Sequence, residues 1–162
     1  MSKGYLRKSV WSDVKPIAED MRPADVAEIK AASGSTPEKA LYEGLLLSAF
    51  GAQTLTLCRS DGLPLSMFGF APSGQADLGI AWLLASNGLK DVQTQFIRES
   101  PKYISEFSQG YRAIYNFTDA RNTLHHRWLQ WCGFTIIKRH ESFGHEGRPF
   151  LEFCKITENR YV

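Results

Sequence analysis

Cysteine is scarce in this chain of 162 residues: Cys58, Cys132 and Cys154 are an odd number, far apart, each in an apolar context and none in a C-x-x-C pair. This excludes a disulfide framework and gives no Cys/His spacing for zinc, and it leads us to expect a reducing compartment. Long apolar runs are missing as well. The longest, Gly79 to Ala85, is far short of the roughly 20 residues that cross a bilayer. Nor does an apolar stretch follow Lys3, Arg7 and Lys8 as a secretory signal requires, so a soluble intracellular protein is expected. An excess of one charge is also absent: 19 basic and 17 acidic residues leave a net charge of +2. No broad footprint for nucleic acid or membrane follows from that balance, and Lys138-Arg139-His140 is only a short basic cluster. With no repeat, low-complexity tract or linker, the chain reads as a single domain over 1–162, and a chain this long buries about 70% of its unfolded surface.

What is present is a legible series of elements. Tyr5 to Val10 alternates weakly as an edge strand. Val14, Ile17, Ala18 and Met21 follow at helical spacing, and Pro23 opens a second helix running through Val26 and Ile29 to Gly34. Thr36 and Pro37 cap and open a third helix, which Gly51 stops. Gln53 to Arg59 and Leu63 to Phe70 form a hairpin around Ser60-Asp61-Gly62, and Leu78 to Leu84 reads as a central strand covered on both faces. A long amphipathic helix carries Val92, Phe96, Ile97, Tyr103, Ile104 and Phe107 on one side, and Pro101 is expected to kink or split it. A closing hairpin of Phe134 to Ser142 and Phe150 to Thr157 turns at Gly144-His145-Glu146-Gly147.

Between the long helix and that hairpin lies Tyr111 to Phe134, the most informative stretch. Tyr111 to Phe117 is an aromatic, β-branched strand without a breaker. Asn122 or Thr123 starts a helix with Leu124, Trp128 and Leu129 as its apolar stripe, and Gly133 supplies the left-handed residue that ends it. On this phasing His125 or His126 faces solvent. The spacing of Asn122, ten residues, then Gly133-Phe134 resembles the C-terminal motif of the GNAT superfamily of N-acetyltransferases. The order of elements is similar to that family's order over nearly the whole chain. The expected fold is therefore α+β, a single GNAT-like domain with a mixed, mostly antiparallel twisted sheet flanked by helices.

The resemblance implies particular site residues. In that family the asparagine lies near the pantetheine arm of coenzyme A, which points to Asn122. The pyrophosphate sits on backbone N–H groups of a Q/R-x-x-G-x-G/A loop between the fourth strand and the long helix. That places Leu83, Leu84, Ala85, Ser86, Asn87, Gly88 and Lys90 as the acyl-CoA contacts of this chain, although the loop carries a single glycine and no leading Gln or Arg. Many members use a tyrosine seven residues after the asparagine as general acid. Here that position is Leu129, leaving His125 or His126 as the substitute acid, and Glu43 on the third helix is a conceivable general base.

The chain also resembles GNAT-like internal virion proteins of short-tailed, podovirus-type bacteriophages. Gly62-Leu63-Pro64-Leu65, Ala81 to Ser86, the long helix, Tyr115-Asn116 and Asn122 to Phe134 carry that likeness. It implies a virion morphogenesis protein that keeps the fold as a scaffold, in the host cytoplasm during assembly and then in the particle. Other virion proteins would be its partners, a second copy of the chain an optional one, and no cofactor would be required. The alternative is an acetyl-CoA-dependent N-acyltransferase acting on an amine of a protein or small molecule. The short loop leads us to expect little or no binding of acetyl-CoA, and Leu129, which removes the expected proton donor, no acetyl transfer to generic amines.

Overall fold

Seven strands form one sheet in the computed structural model, which describes residues 3–157. They are β1 (Gly4–Lys8), β2 (Gln53–Arg59), β3 (Pro64–Pro72), β4 (Leu78–Ala85), β5 (Ala113–Asp119), β6 (Thr135–Phe143) and β7 (Arg148–Ile156), in the spatial order β1-β2-β3-β4-β5-β7-β6. Every neighbouring pair is antiparallel except β4 and β5, which run parallel on either side of the long helix. The expected α+β architecture is the observed one.

Period two divides the sheet between two helical layers. Met67, Trp82 and Leu84 pack with the residues of α1 (Val14–Glu19), α2 (Pro23–Ser33) and α3 (Pro37–Leu46) on one face. Phe68, Phe70, Ala81 and Leu83 face α4 (Gln93–Phe107) and α5 (Thr123–Trp131) on the other. Trp82 needs two glycines to lie in its layer. A Cβ on Gly44 of α3 would come within 2.6 Å of its ring, and one on Gly69 of β3 within 3.0 Å. An unhindered helical Gly→Ala change gains about 1 kcal/mol, yet Gly44→Ala is expected to lose about 1–3 kcal/mol because the fenced indole cannot retreat. A raised melting midpoint for that variant would show that the ring moves freely.

Pro101 does not split its helix, because α4 runs unbroken from Gln93 to Phe107. Proline removes the N–H that would bond the carbonyl of Ile97. That carbonyl instead accepts the indole N–H of Trp131 on α5 at 2.9 Å, so tertiary structure satisfies the group that proline orphaned. It also accounts for an aromatic side chain that is 61% exposed. At the other end of the sheet, the β6–β7 turn is fastened to α2. The amides of His145 and Glu146 donate to the carbonyls of Ala32 and Ala31 at 3.1 and 3.0 Å. Gly144 makes this approach possible, since a Cβ there would meet those carbonyls at 2.7 Å.

Candidate functional site

β4 and β5 pair only at Leu78, Gly79 and Ile80 and then part. The side-chain amide of Asn116 bridges the start of the gap, donating to the carbonyl of Ala81 at 2.9 Å. By alternation, Ala81, Leu83 and Ala85 turn their main chains toward the opening. One face of α2 spans it. Asp25 accepts the Ala85 amide on β4 at 3.0 Å, while the Arg22 amide donates to the Ala85 carbonyl at 2.9 Å. Three residues along, Glu28 accepts the Asp119 amide on β5. Each strand edge is therefore tied to a carboxylate of the same helix face.

Those carboxylates differ in their compensation. Asp25 is 1% exposed and holds the Arg22 guanidinium at 2.8 Å; burial raises its pKa and Arg22 opposes the rise. Asp119 pairs with Arg121 at 2.6 Å, and these hydrogen bonds outweigh burial to hold it below the usual carboxylate range. Glu28 has no basic partner within ion-pair distance among the described residues. Burial, augmented by the charges of Asp25 and Asp119, pushes it up to about 7 against the Asp119 amide. A carboxylate tuned to neutrality beside a gap in a sheet is suited to accept a proton.

On the α4–α5 side, the gap leads into a cleft of about 600 Å³. Leu83, Leu89, Phe96, Trp128 and the exposed Leu124 and Trp131 form its apolar wall, and Arg22, Lys90 and Arg127 supply positive charge. Among the described residues Lys90 and Arg127 have no acidic partner, and no acid lines the cleft. Asn122 also lines it. That residue is 8% exposed, and its side-chain amide nitrogen makes no hydrogen bond. An orphaned buried donor carries a cost of about 1–3 kcal/mol that a ligand carbonyl relieves.

The expected contact residues are distributed unevenly around this cleft. Leu83, Asn87, Lys90 and Asn122 line it. Leu84 belongs to the opposite layer, with Met67 and Leu41. Ser86 is buried and its amide donates to Leu65 at 2.8 Å, while the Asn87 amide donates to Asp20 at 2.8 Å. Gly88 packs against Leu65, whose Cδ2 would be 2.9 Å from a Cβ there. The residues after β4 form a 3-10 turn over Asn87–Val92 before α4 begins. Two leading amides of the expected phosphate cradle are thus engaged within the chain, and side-chain cations are left to meet an anion.

The expected acid and base are also revised in place. Glu43 is exposed on α3 beside Trp11 and Tyr42 and does not line the cleft. His125 and His126 are both half-buried, and it is Leu124, at 66% exposure, that faces outward. The helix is rotated from its expected phase because Leu129 and Cys132 point into the core and Trp128 stacks on Phe96 at 5.5 Å. Burial drives His125 down to about 3, so its imidazole is neutral and has no acidic proton to give at neutral pH. Leu129, at 2% exposure, supplies none either. His126 is held by the Asp119 carbonyl at 2.9 Å. In the basic cluster, Arg139 pairs with Glu141 and His140 is hydrogen-bonded to Glu152, each at 2.8 Å. No group of metal ligands occurs among the described residues, and no helix there is long and apolar enough to cross a membrane.

Comparison with known proteins agrees with this architecture. No family profile and no curated protein sequence matches the chain. Among solved structures, a GCN5-related N-acetyltransferase from Kribbella flavida superposes with a TM-score of 0.67 at 18% identity, covering 94% of this chain and 97% of that one. Spermidine N-acetyltransferase from Vibrio cholerae, solved with CoA and spermine, gives 0.68 at 12% identity and covers 96% of each chain. A phosphinothricin acetyltransferase from Sinorhizobium meliloti, in complex with AcCoA, gives 0.65 at 12% identity, covering 99% of this chain and 92% of that one. The chain has the fold of the GNAT acetyltransferases.

Proposed function

We propose that this protein is an acyl-CoA-dependent N-acyltransferase. The observation that carries the reading is the buried, unpartnered amide of Asn122 facing a cleft whose charged groups are all positive. An amide of that kind suits a carbonyl of the pantetheine arm, and Lys90 and Arg127 suit its phosphates. A thioester supplies the activated acyl group. Leu83, beyond the last β4–β5 pair, presents its main chain to the gap where that group would lie. Glu28, on the α2 side, is placed to take the proton from an acceptor amine as the new C–N bond forms and the C–S bond breaks. A thiol ionises near pH 8.5, so its thiolate can leave without the proton donor that Leu129 and His125 fail to provide.

Coenzyme A should therefore stabilise the fold through side chains in place of a glycine-rich loop. A ligand at a hundredfold excess over its Kd adds about 2.7 kcal/mol. A thermal melt with millimolar acetyl-CoA is expected to show that shift, and Asn122→Ala and Arg127→Ala to weaken binding by about 10-fold or more each. No shift for the unaltered chain would end the reading. In that event the engaged amides of Ser86 and Asn87 and the leucine at 129 would favour the virion scaffold that the phage resemblance implies. Mass spectrometry of purified particles tests that second role.

A further inference from the structure

Beside the cleft lies a second, smaller and half-open space. It has a volume of about 40 Å³ and sits between the sheet and α4–α5. Its walls are almost wholly apolar, with Phe68, Ala81 and Ile104 among them. Four residues, Leu83, Phe96, His125 and Trp128, line both this cavity and the open cleft. They form the partition. Trp128 is fixed by stacking on Phe96 and by donating its indole N–H to Ser100 Oγ at 3.1 Å. His125 is the loose member, because neither ring nitrogen has a hydrogen-bond partner among the described residues and its ring rests on Trp128 at 5.5 Å. Moving it breaks no hydrogen bond.

We infer that this cavity is an acyl-chain pocket, entered past His125, and that the chain prefers a short aliphatic acyl-CoA of about four carbons over acetyl-CoA. The inference rests on the acyltransferase reading and specifies its donor. A cavity needs about 10–15 Å³ of such space for each water-sized group, so 40 Å³ takes about three. Three carbons beyond a thioester carbonyl make a butyryl group. Water is a poor occupant, since it requires two to four polar partners and these walls offer almost none. Leu83 ties the two functions together, having its main chain at the β4–β5 gap and its side chain on the partition.

Calorimetry and thermal melts of the full chain with CoA, acetyl-CoA, butyryl-CoA and octanoyl-CoA provide the test. Each buried methylene tightens binding about fourfold. Butyryl-CoA is therefore expected to bind about 15-fold more tightly than acetyl-CoA, and octanoyl-CoA to gain nothing further because about 40 Å³ is filled by the first few carbons. Ile104→Phe, which fills the cavity from α4, should abolish the butyryl advantage while leaving CoA itself bound as before. Equal affinity for acetyl- and butyryl-CoA in the unaltered chain, with CoA still binding, overturns the pocket and leaves the acyltransferase standing. Failure to bind any of the four overturns both.

Discussion

Glu28→Gln is expected to slow acyl transfer by about 10²–10⁴-fold, the usual contribution of a positioned general base. Glutamine keeps an oxygen for the Asp119 amide, so α2 and β5 stay joined. The thermal shift with coenzyme A should persist, because Glu28 does not line the cleft. The pH profile carries the sign. A base with a pKa of about 7 is protonated below that value, so kcat/KM should rise with pH through neutrality and the variant should lose that limb. Unchanged turnover in Glu28→Gln would remove the base from the scheme, as would a wild-type profile that is flat between pH 6 and pH 8.

The largest loss of stability is expected at Asp13. Its carboxylate is 1% exposed and accepts two hydrogen bonds from the Arg7 guanidinium, at 2.8 and 2.7 Å. It also accepts the Val10 amide at 2.9 Å and the Thr56 hydroxyl at 2.8 Å. Breaking a buried pair by deleting one partner costs about 3–5 kcal/mol, and Asp13→Ala also removes the acceptor of the Val10 amide, while the Thr56 hydroxyl keeps Ser9 Oγ at 2.8 Å. Burial alone would raise the carboxyl's pKa, but the bonds from Arg7, Val10 and Thr56 outweigh it and leave the value lowered. A carboxyl lowered in the folded state contributes stability above its unfolded value, near 3.9. That contribution disappears as pH falls through the folded value. Urea denaturation at pH 7 and at acidic pH reads both effects. A loss under about 1 kcal/mol at pH 7 would mean that the pair contributes little.

The sheet was legible because its signals are local. Alternation in Gln53 to Arg59, the Asp61-Gly62 turn, and Gly133 at the end of α5 each specify an element within a few residues. The site was half legible. Asn122 and Lys90 follow from the family resemblance and line the cleft, but Asp25 and Glu28 were hidden because the apolar spacing of α2 directs attention to Val26 and Ile29. Val26 is exposed, and Asp25, one turn before Ile29, takes the inward place that an apolar residue would normally hold. An acid at i−4 from a buried isoleucine was the available sign, and it becomes readable only once the strand edges needing acceptors are known. The phase of α5 failed for a related reason. Leu124 looks like core by composition, yet it is one wall of a cleft that exists only because β4 and β5 part.

The turn that joins β6 to β7 sets the order in which this molecule can become competent. Its amides reach back from the last third of the chain to the carbonyls at the end of α2, in the first. Contacts so distant in sequence form late, after their loop-closure entropy has been overcome. On the ribosome α2 emerges long before the hairpin that fastens it. Glu28 is therefore in place only once the β6–β7 hairpin has emerged, and a nascent or truncated chain lacking that hairpin should carry the cleft residues without a secured base.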